Sequence, residues 1–227
     1  MSRRPDAVVF DLDGTLVDSR PDIATAVNRL RAGLALPPLD LEAVGGLMGE
    51  GSRTLVRRAL ADAPAAVRAA ANADFDRLHA RYLEHYAAVC TVATRPYDGV
   101  EELLAGCTRR WPLALLTNKP IAMTRALVDH FGWGTLFRAV VGGDSLPYRK
   151  PDGRGLLGIA AGLAVAPAAT LLVGDSRIDA ETAQAAGSAF IWVEWGYAAE
   201  GDRRGLASGL TARSPAALLA WFDALPQ

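Results

Sequence analysis

Val8-Val9-Phe10-Asp11-Leu12-Asp13-Gly14-Thr15-Leu16-Val17-Asp18-Ser19 is the stretch on which the reading of this chain turns. A short apolar run ends in two carboxylates two residues apart, and glycine and threonine follow at once. Such a run, bounded by turn residues, reads as a buried strand over about Ala7 to Phe10. In open α/β sheets ligands bind beyond the carboxyl ends of the strands, so an acid pair here stands where chemistry takes place. Alternation along an extended chain puts Asp11 and Asp13 on one side. That arrangement can hold one divalent cation and leave one acid to act on a substrate. Taken alone, the pattern is equally a solvated strand end with a turn, and the rest of the chain has to decide.

After the acid pair the pattern is helical. Ser19 is a candidate cap for a helix with Pro21 in its first turn. Ile23, Val27, Leu30 and Leu34 give that helix a buried face, and Pro37-Pro38 ends it. A glycine-rich turn, Gly45-Gly46-Leu47-Met48-Gly49-Glu50-Gly51-Ser52, precedes a short helix through Leu55, Val56 and Leu60. A long helix then spans about Pro64 to Val89 on the stripe Val67, Ala71, Phe75, Leu78, Tyr82, Tyr86 and Val89. No strand is predicted between Pro21 and Val89. The pattern changes at Thr94-Arg95-Pro96-Tyr97-Asp98-Gly99, where Asp98 can cap a helix carrying Val100, Leu103 and Leu104. Strand-like runs at Leu113–Leu116, Ala139–Val141, Thr170–Val173 and Ala189–Val193 then alternate with helical patterns near Ile121–Phe131, Gly155–Leu163 and Asp179–Ala186. This alternation predicts an α/β fold with a doubly wound parallel sheet. A surface loop over 196–209 and a last helix from Ser214-Pro215 to Leu225 complete it. The expected organisation is an α/β core from 1–18 and 93–227, carrying an all-helical domain at 19–92.

Composition narrows the function. The 227 residues are 51% hydrophobic and 22% charged, as in a globular protein with a real core. A formal net charge of -1 gives no field to attract nucleic acid. The basic pairs Arg57-Arg58, Arg109-Arg110 and Arg203-Arg204 read as solvated faces or turns. Cys90 and Cys107 lack metal spacing and fit a reducing compartment. No run has the length of a membrane span or a signal h-region. A cytoplasmic protein with no membrane partner, monomeric or homodimeric, is expected.

Each later strand is followed by polar groups of a chemical kind: Thr117-Asn118-Lys119, then Lys150-Pro151 beyond a loop, then Gly174-Asp175-Ser176-Arg177-Ile178-Asp179. Each has an ordinary reading. Thr117-Asn118 can cap a helix, Lys150 can be a surface lysine, and Asp175 and Asp179 can complement a helix dipole. Their common placement at the carboxyl ends of strands in one sheet is what points to a site.

With these residues in hand, the chain resembles the haloacid dehalogenase-type hydrolases, aspartate-nucleophile phosphatases. The resemblance rests on Asp11-Leu12-Asp13-Gly14-Thr15, an apolar run ending Thr117-Asn118, Lys150-Pro151, and Gly174-Asp175 with Asp179, and it covers essentially the whole chain. It implies a sheet order 5-4-1-2-3 and makes the helical stretch the small cap of that family. Gly142-Gly143-Asp144-Ser145-Leu146-Pro147, Lys150-Pro151-Asp152, His85-Tyr86, Thr94-Arg95-Pro96-Tyr97 and Trp195-Gly196-Tyr197 are similar to the phosphoglycolate phosphatases within it. Gly153 departs from the proline frequent there.

The resemblance implies roles. Asp11 attacks phosphorus and forms an aspartyl-phosphate. Mg2+, a hard cation that prefers oxygen, bridges Asp11 and the phosphoryl group. Asp175 and the backbone carbonyl of Asp13 are further ligands, and Asp179 is another ligand or an acid behind them. The Asp13 side chain protonates the leaving alkoxide and then deprotonates water. Thr117 and the Asn118 N–H hold phosphate oxygens, and Lys150 offsets the negative charge. In the cap, Gly51, Ser52 and Arg53 are candidates for selecting an acidic substrate, Arg53 by pairing with its carboxylate; an ordinary solvated Arg53 stays open. The expected substrate is a small phosphorylated metabolite, 2-phosphoglycolate first, with a sugar phosphate or a phosphomutase reaction as alternatives. A dehalogenase would not need Asp13, a phospho-accepting regulator would not need the cap, and an inert binding protein would not need the whole acid–lysine set.

Overall fold

The computed structural model describes residues 4–197 and 210–226. The chain divides into two compact units, Met1–Asp18 with Pro96–Gln227 and Ser19–Arg95.

The first unit is built on a parallel sheet of six strands among the described residues. They are β1 (Ala7–Phe10), β2 (Leu113–Leu116), β3 (Phe137–Val141), β4 (Thr170–Gly174), β5 (Ala189–Val193) and β6 (Leu210–Ala212). Their order is β3-β2-β1-β4-β5-β6. Read from the opposite edge, this is the expected 5-4-1-2-3 with β6 added outside β5. β6 is only three residues long and carries Thr211 at its centre, so no apolar run announces it. β1 lies near the middle, with Val9 facing Ala114 on one neighbour and Leu172 on the other. Every residue of β1, β2 and β4 is buried. That is why these strands read as unbroken apolar runs: both faces of a parallel sheet are covered.

Alternation divides each strand between two helical layers. Val8, Phe10, Leu113, Leu115, Leu171 and Val173 pack with Val100, Leu103, Leu104, Leu127 and Phe222. Val9, Ala114, Leu116 and Leu172 pack with Leu156, Ile159, Ala183 and Ala186. One expectation fails at the edge of this unit. Arg110 is not a solvated face: its guanidinium donates to the carbonyls of Phe222 and of Leu225 (2.9 Å for the latter). It thereby adds a donor at the end of the last helix, Pro215–Asp223, where regular helical partners run out. The helix Val100–Thr108 is not capped by Asp98 either, because Gly99 takes the N-cap position with a left-handed φ of 85°. Most of the predicted loop over 196–209 lies outside the described residues, as do Arg203 and Arg204.

The second unit is helical. It comprises α1 (Arg20–Ala32), α2 (Leu41–Gly45), α3 (Ser52–Arg58), α4 (Ala65–Ala73) and α5 (Phe75–Ala87). Ser19 stands at the N-cap of α1 without a capping side-chain bond. The helix ends at Ala32, before Pro37-Pro38, and Ala35 turns the chain with a φ of 53°. α2 was not expected; Asp40 caps it by accepting from the Ala43 N–H at 2.7 Å. The expected long helix is two, broken at Asp74. α5 buries Phe75, Leu78, Tyr82 and Tyr86, whereas α4 buries no side chain, so packing does not hold the two in line. The buried Asp22 carboxylate closes the unit by accepting from Ala93 N, Thr94 N and Thr94 Oγ1 at 2.7–3.0 Å. No helix of the described residues is long and apolar enough to cross a membrane. Cys90 and Cys107 are both buried thiols.

Candidate active site

β1 delivers Asp11 to the carboxyl edge of the sheet, where its N–H donates to the Val173 carbonyl of β4 at 2.9 Å. The chain then folds back tightly. The Leu12 carbonyl accepts from the N–H groups of Thr15, Leu16 and Val17 at 2.9–3.3 Å. Asp13 therefore lies in a turn rather than in the strand. Gly14 makes the turn possible: its φ is 83°, and a Cβ there would stand 2.2 Å from Asp175 Oδ2. The Gly14 backbone and the Asp175 carboxylate approach each other more closely than any side chain allows.

The sheet brings the other sequence-predicted groups of this unit to the same edge. Lys150, 4% exposed, places Nζ 2.8 Å from Asp11 Oδ1 and 2.5 Å from Asp179 Oδ1. The hydrogen bond goes to Asp179, so buried Asp11 Oδ1 has a charge contact but no aligned donor. The peptide between Lys150 and Pro151 is cis. The Asn118 side chain donates to the Lys150 carbonyl at 3.0 Å and anchors that loop. Thr117 is buried and its Oγ1 accepts from Lys119 N at 3.2 Å. Asp175 Oδ1 accepts from the Thr15 hydroxyl at 3.3 Å, and Oδ2 accepts from Tyr197 N at 2.7 Å. Asp179 is the third residue of its helix and closes a capping box with Ser176. Both its oxygens are engaged, one by Lys150 and the other by Ser176.

Burial sets the electrostatics. Asp11 is pushed up to about 7 by loss of solvent, a shift that Lys150 opposes and that Asp179 and Asp13 reinforce. Burial, with Asp179 and Asp11 nearby, holds Asp175 well above the usual carboxylate range. Burial works against the Lys150 ammonium, yet Asp11 and Asp179 outweigh it and raise its pKa. Asp11, Asp175 and Asp179 each present an oxygen within 4.8 Å of the others. Among the described residues one ammonium faces these acids, and Asp11 Oδ1 lacks an aligned donor. This hard-oxygen set, deficient in positive charge, fits a divalent cation.

Several participants carried no assigned role in the sequence. Lys119 is 5% exposed and its ammonium sits 2.8 and 3.1 Å from the two Asp13 oxygens. It directly follows Thr117-Asn118, so its position was visible, but its burial was not. Trp195 Nε1 donates to the Thr15 carbonyl at 3.0 Å, and the Tyr197 hydroxyl to the Val17 carbonyl at 3.1 Å. The Trp195–Tyr197 segment thus straps the acid turn and Asp175 together. Gly196 lies so close that a Cβ would be 2.3 Å from that of Asp175.

Gly51, Ser52 and Arg53 belong to the helical unit. There Gly51 precedes α3 with a φ of 89°, and Ser52 Oγ lies 2.8 Å from His79 Nε2. Arg53 pairs with Asp76 at 2.7 Å and stands over the Phe75 ring.

The comparisons with known proteins agree with this geometry. A family model described as haloacid dehalogenase-like hydrolase matches residues 5–187. The chain is 44% identical over 194 residues to a phosphoglycolate phosphatase of Cereibacter sphaeroides, covering 84% of this chain and 85% of that one. It is 40% identical over 217 residues to a phosphoglycolate phosphatase of Chromobacterium violaceum, covering 93% and 94%. Among solved structures, a predicted phosphoglycolate phosphatase from Haemophilus somnus superposes with a TM-score of 0.85 at 27% identity, covering 97% of this chain and 99% of that one. With the acid turn, the buried lysine and the Asp175–Asp179 helix start in one place, the chain belongs to the haloacid dehalogenase-like hydrolases.

Proposed function

We propose that this enzyme hydrolyses 2-phosphoglycolate to glycolate and phosphate through an aspartyl-phosphate on Asp11. The observation that carries the reading is the Asp11 carboxylate at the end of β1, buried against Lys150 and two residues from a second acid. The similarity to phosphoglycolate phosphatases over most of the chain supports the substrate. That similarity and the family make the chain a phosphoric monoester hydrolase.

In the proposed cycle, Asp11 attacks phosphorus in line and the ester oxygen leaves. Asp13 gives that oxygen its proton, then takes one from the water that cleaves the acyl phosphate. Lys150 lowers the repulsion between the Asp11 carboxylate and the dianionic phosphoryl group. Thr117 Oγ1 and the Asn118 N–H bind phosphoryl oxygens as donors. Asp11, Asp175 and the Asp13 carbonyl would hold Mg2+, which supplies charge stabilisation to the transferring group when bound. Asp179 completes the acid set chiefly by orienting Lys150. Gly174 and Gly14 admit the acids to close range because neither carries a Cβ.

The helical unit Ser19–Arg95 serves as a cap that selects the substrate, with Gly51, Ser52 and Arg53 as its specificity residues. For Arg53 to meet a substrate carboxylate it must exchange its pair with Asp76, which is exposed and therefore inexpensive to break. A panel of metabolite phosphates assayed for phosphate release with Mg2+ tests the whole reading. The expected result is the highest kcat/KM for 2-phosphoglycolate, without a bisphosphate activator. Preference for a sugar phosphate, or turnover that depends on such an activator, would refute the substrate or the reaction.

A further inference from the structure

Two buried ammonium groups serve this site, and each is paired with a different acid. Lys150 lies between Asp11 and Asp179. Lys119 has a side chain 1% exposed, and Nζ donates to both Asp13 oxygens, at 2.8 and 3.1 Å. The backbone of Lys119 is held as well. Its N–H donates to Thr117 Oγ1 at 3.2 Å, and its carbonyl accepts from Gly143 N at 2.8 Å. The lysine therefore starts from a fixed point beside the phosphate-binding threonine and ends on the neighbouring acid. Lysine is almost never fully buried without a partner, and Lys119 pairs with Asp13 where Lys150 pairs with Asp11. The Asp13 side chain is 18% exposed, and the two Lys119 contacts orient it from its buried side.

We propose that Lys119 is a positioning residue for the proton transfers of Asp13. The inference rests on the acid–base role given to Asp13 above. Proton transfer requires the carboxyl group within hydrogen-bond reach of the reacting oxygen, so its orientation translates into rate. In the first half of the cycle the Asp11–phosphorus bond forms, the ester oxygen–phosphorus bond breaks, and the Asp13 proton goes to the leaving oxygen. In the second half the water oxygen bonds to phosphorus, the Asp11–phosphorus bond breaks, and the water proton returns to Asp13. Lys119 keeps its own protons throughout. It can retain one of its two bonds when the other Asp13 oxygen carries the proton.

The test uses the dependence on the leaving group. An alkyl ester needs a proton on its departing oxygen, whereas 4-nitrophenyl phosphate releases a stable phenolate without one. In Lys119→Met, the ratio of kcat/KM for 4-nitrophenyl phosphate to that for 2-phosphoglycolate, or for the best alkyl ester of the panel, should rise about 10- to 100-fold, part of the roughly 10²–10⁴-fold that a positioned acid–base group contributes. The same substitution in an Asp13→Asn background should shift the ratio no further, since the two residues act as one unit. If Lys119→Met does not fold, Lys119→Gln is read on the same ratio. An unchanged ratio, with both esters slowed alike, would overturn the proposal, as would a shift that persists in the Asp13→Asn background. Failure of the wild-type enzyme to hydrolyse either ester would instead refute the reading of the reaction itself.

Discussion

The crowding of acids at the end of β1 makes metal-free stability depend on pH, and Asp11 is the group to perturb. Its carboxyl is raised from 3.8 to about 7, first by burial and then by Asp179 and Asp13 against the pull of Lys150. A carboxyl raised in this way binds its proton more tightly in the folded chain than in the unfolded one. Between about pH 4 and 7 the folded state keeps a proton that the unfolded state has lost, so rising pH works against folding. At about 1.36 kcal/mol per pH unit the full effect is about 4 kcal/mol, and about 2–3 kcal/mol of it falls between pH 5 and 8. For a chain of this length that corresponds to a fall of about 5–10 °C in Tm. Asp175, raised in the same direction, adds to the slope. His79, lowered by burial and by Arg53, contributes an opposite slope just below 6.5. The comparison is therefore between wild type and Asp11→Asn, by scanning calorimetry in EDTA from pH 5 to 8. Wild type should lose Tm as pH rises and the variant should lose much less. Added Mg2+ should raise the wild-type Tm more at pH 8 than at pH 5, because its ligands must be ionised to bind it. Equal slopes in the two proteins would refute the account of Asp11, and a Mg2+ effect independent of pH would refute the cation site.

Lys150→Met leaves Asp11 and Asp179 as buried acids without their cation. It should cost about 3–5 kcal/mol of stability at neutral pH, read by urea denaturation, with less lost at pH 5 where Asp11 holds its proton. It should also lower kcat roughly 10²–10³-fold, the scale of removing one preorganised electrostatic partner. Gly14→Ala places a Cβ 2.2 Å from Asp175 Oδ2 at a φ of 83°. It should destabilise the chain by about 1–3 kcal/mol through backbone strain, and Mg2+ titration followed by Tm should show weakened binding as Asp175 is displaced.

Much of the core was legible because its signals are local. Buried parallel strands are continuous apolar runs, and Leu113–Leu116 and Ala189–Val193 stand where they were predicted. β6 was missed because three residues are too few to carry a period. The helical unit was read less well. The stripe from Val67 to Val89 continues through Asp74 in sequence, but the packing environment changes there, and periodicity does not register which residues meet a neighbour. α2 left a readable trace in Asp40, three residues before the N–H that it caps. Arg110 looked like part of a basic surface pair because its partners are carbonyls more than a hundred residues away.

The sequence by itself determined the five longer strands of the core, the acid pair after β1 and the strand-end positions of Thr117 and Asp175, since apolar runs and strand ends are properties of neighbouring residues; the roles of Thr117, Lys150 and Asp175 came from the family resemblance. The tertiary structure decided which charges meet. Lys119 reaches Asp13 across 106 residues and Thr15 reaches Asp175 across 160. Whether a lysine is a solvated side chain or the fixed partner of an acid depends on burial and on distances of about 3 Å, over which an ion pair and its desolvation are settled. The opening turn places Asp11 and Asp13 near each other, but only the assembled sheet brings Lys150 to Asp11 and Lys119 to Asp13.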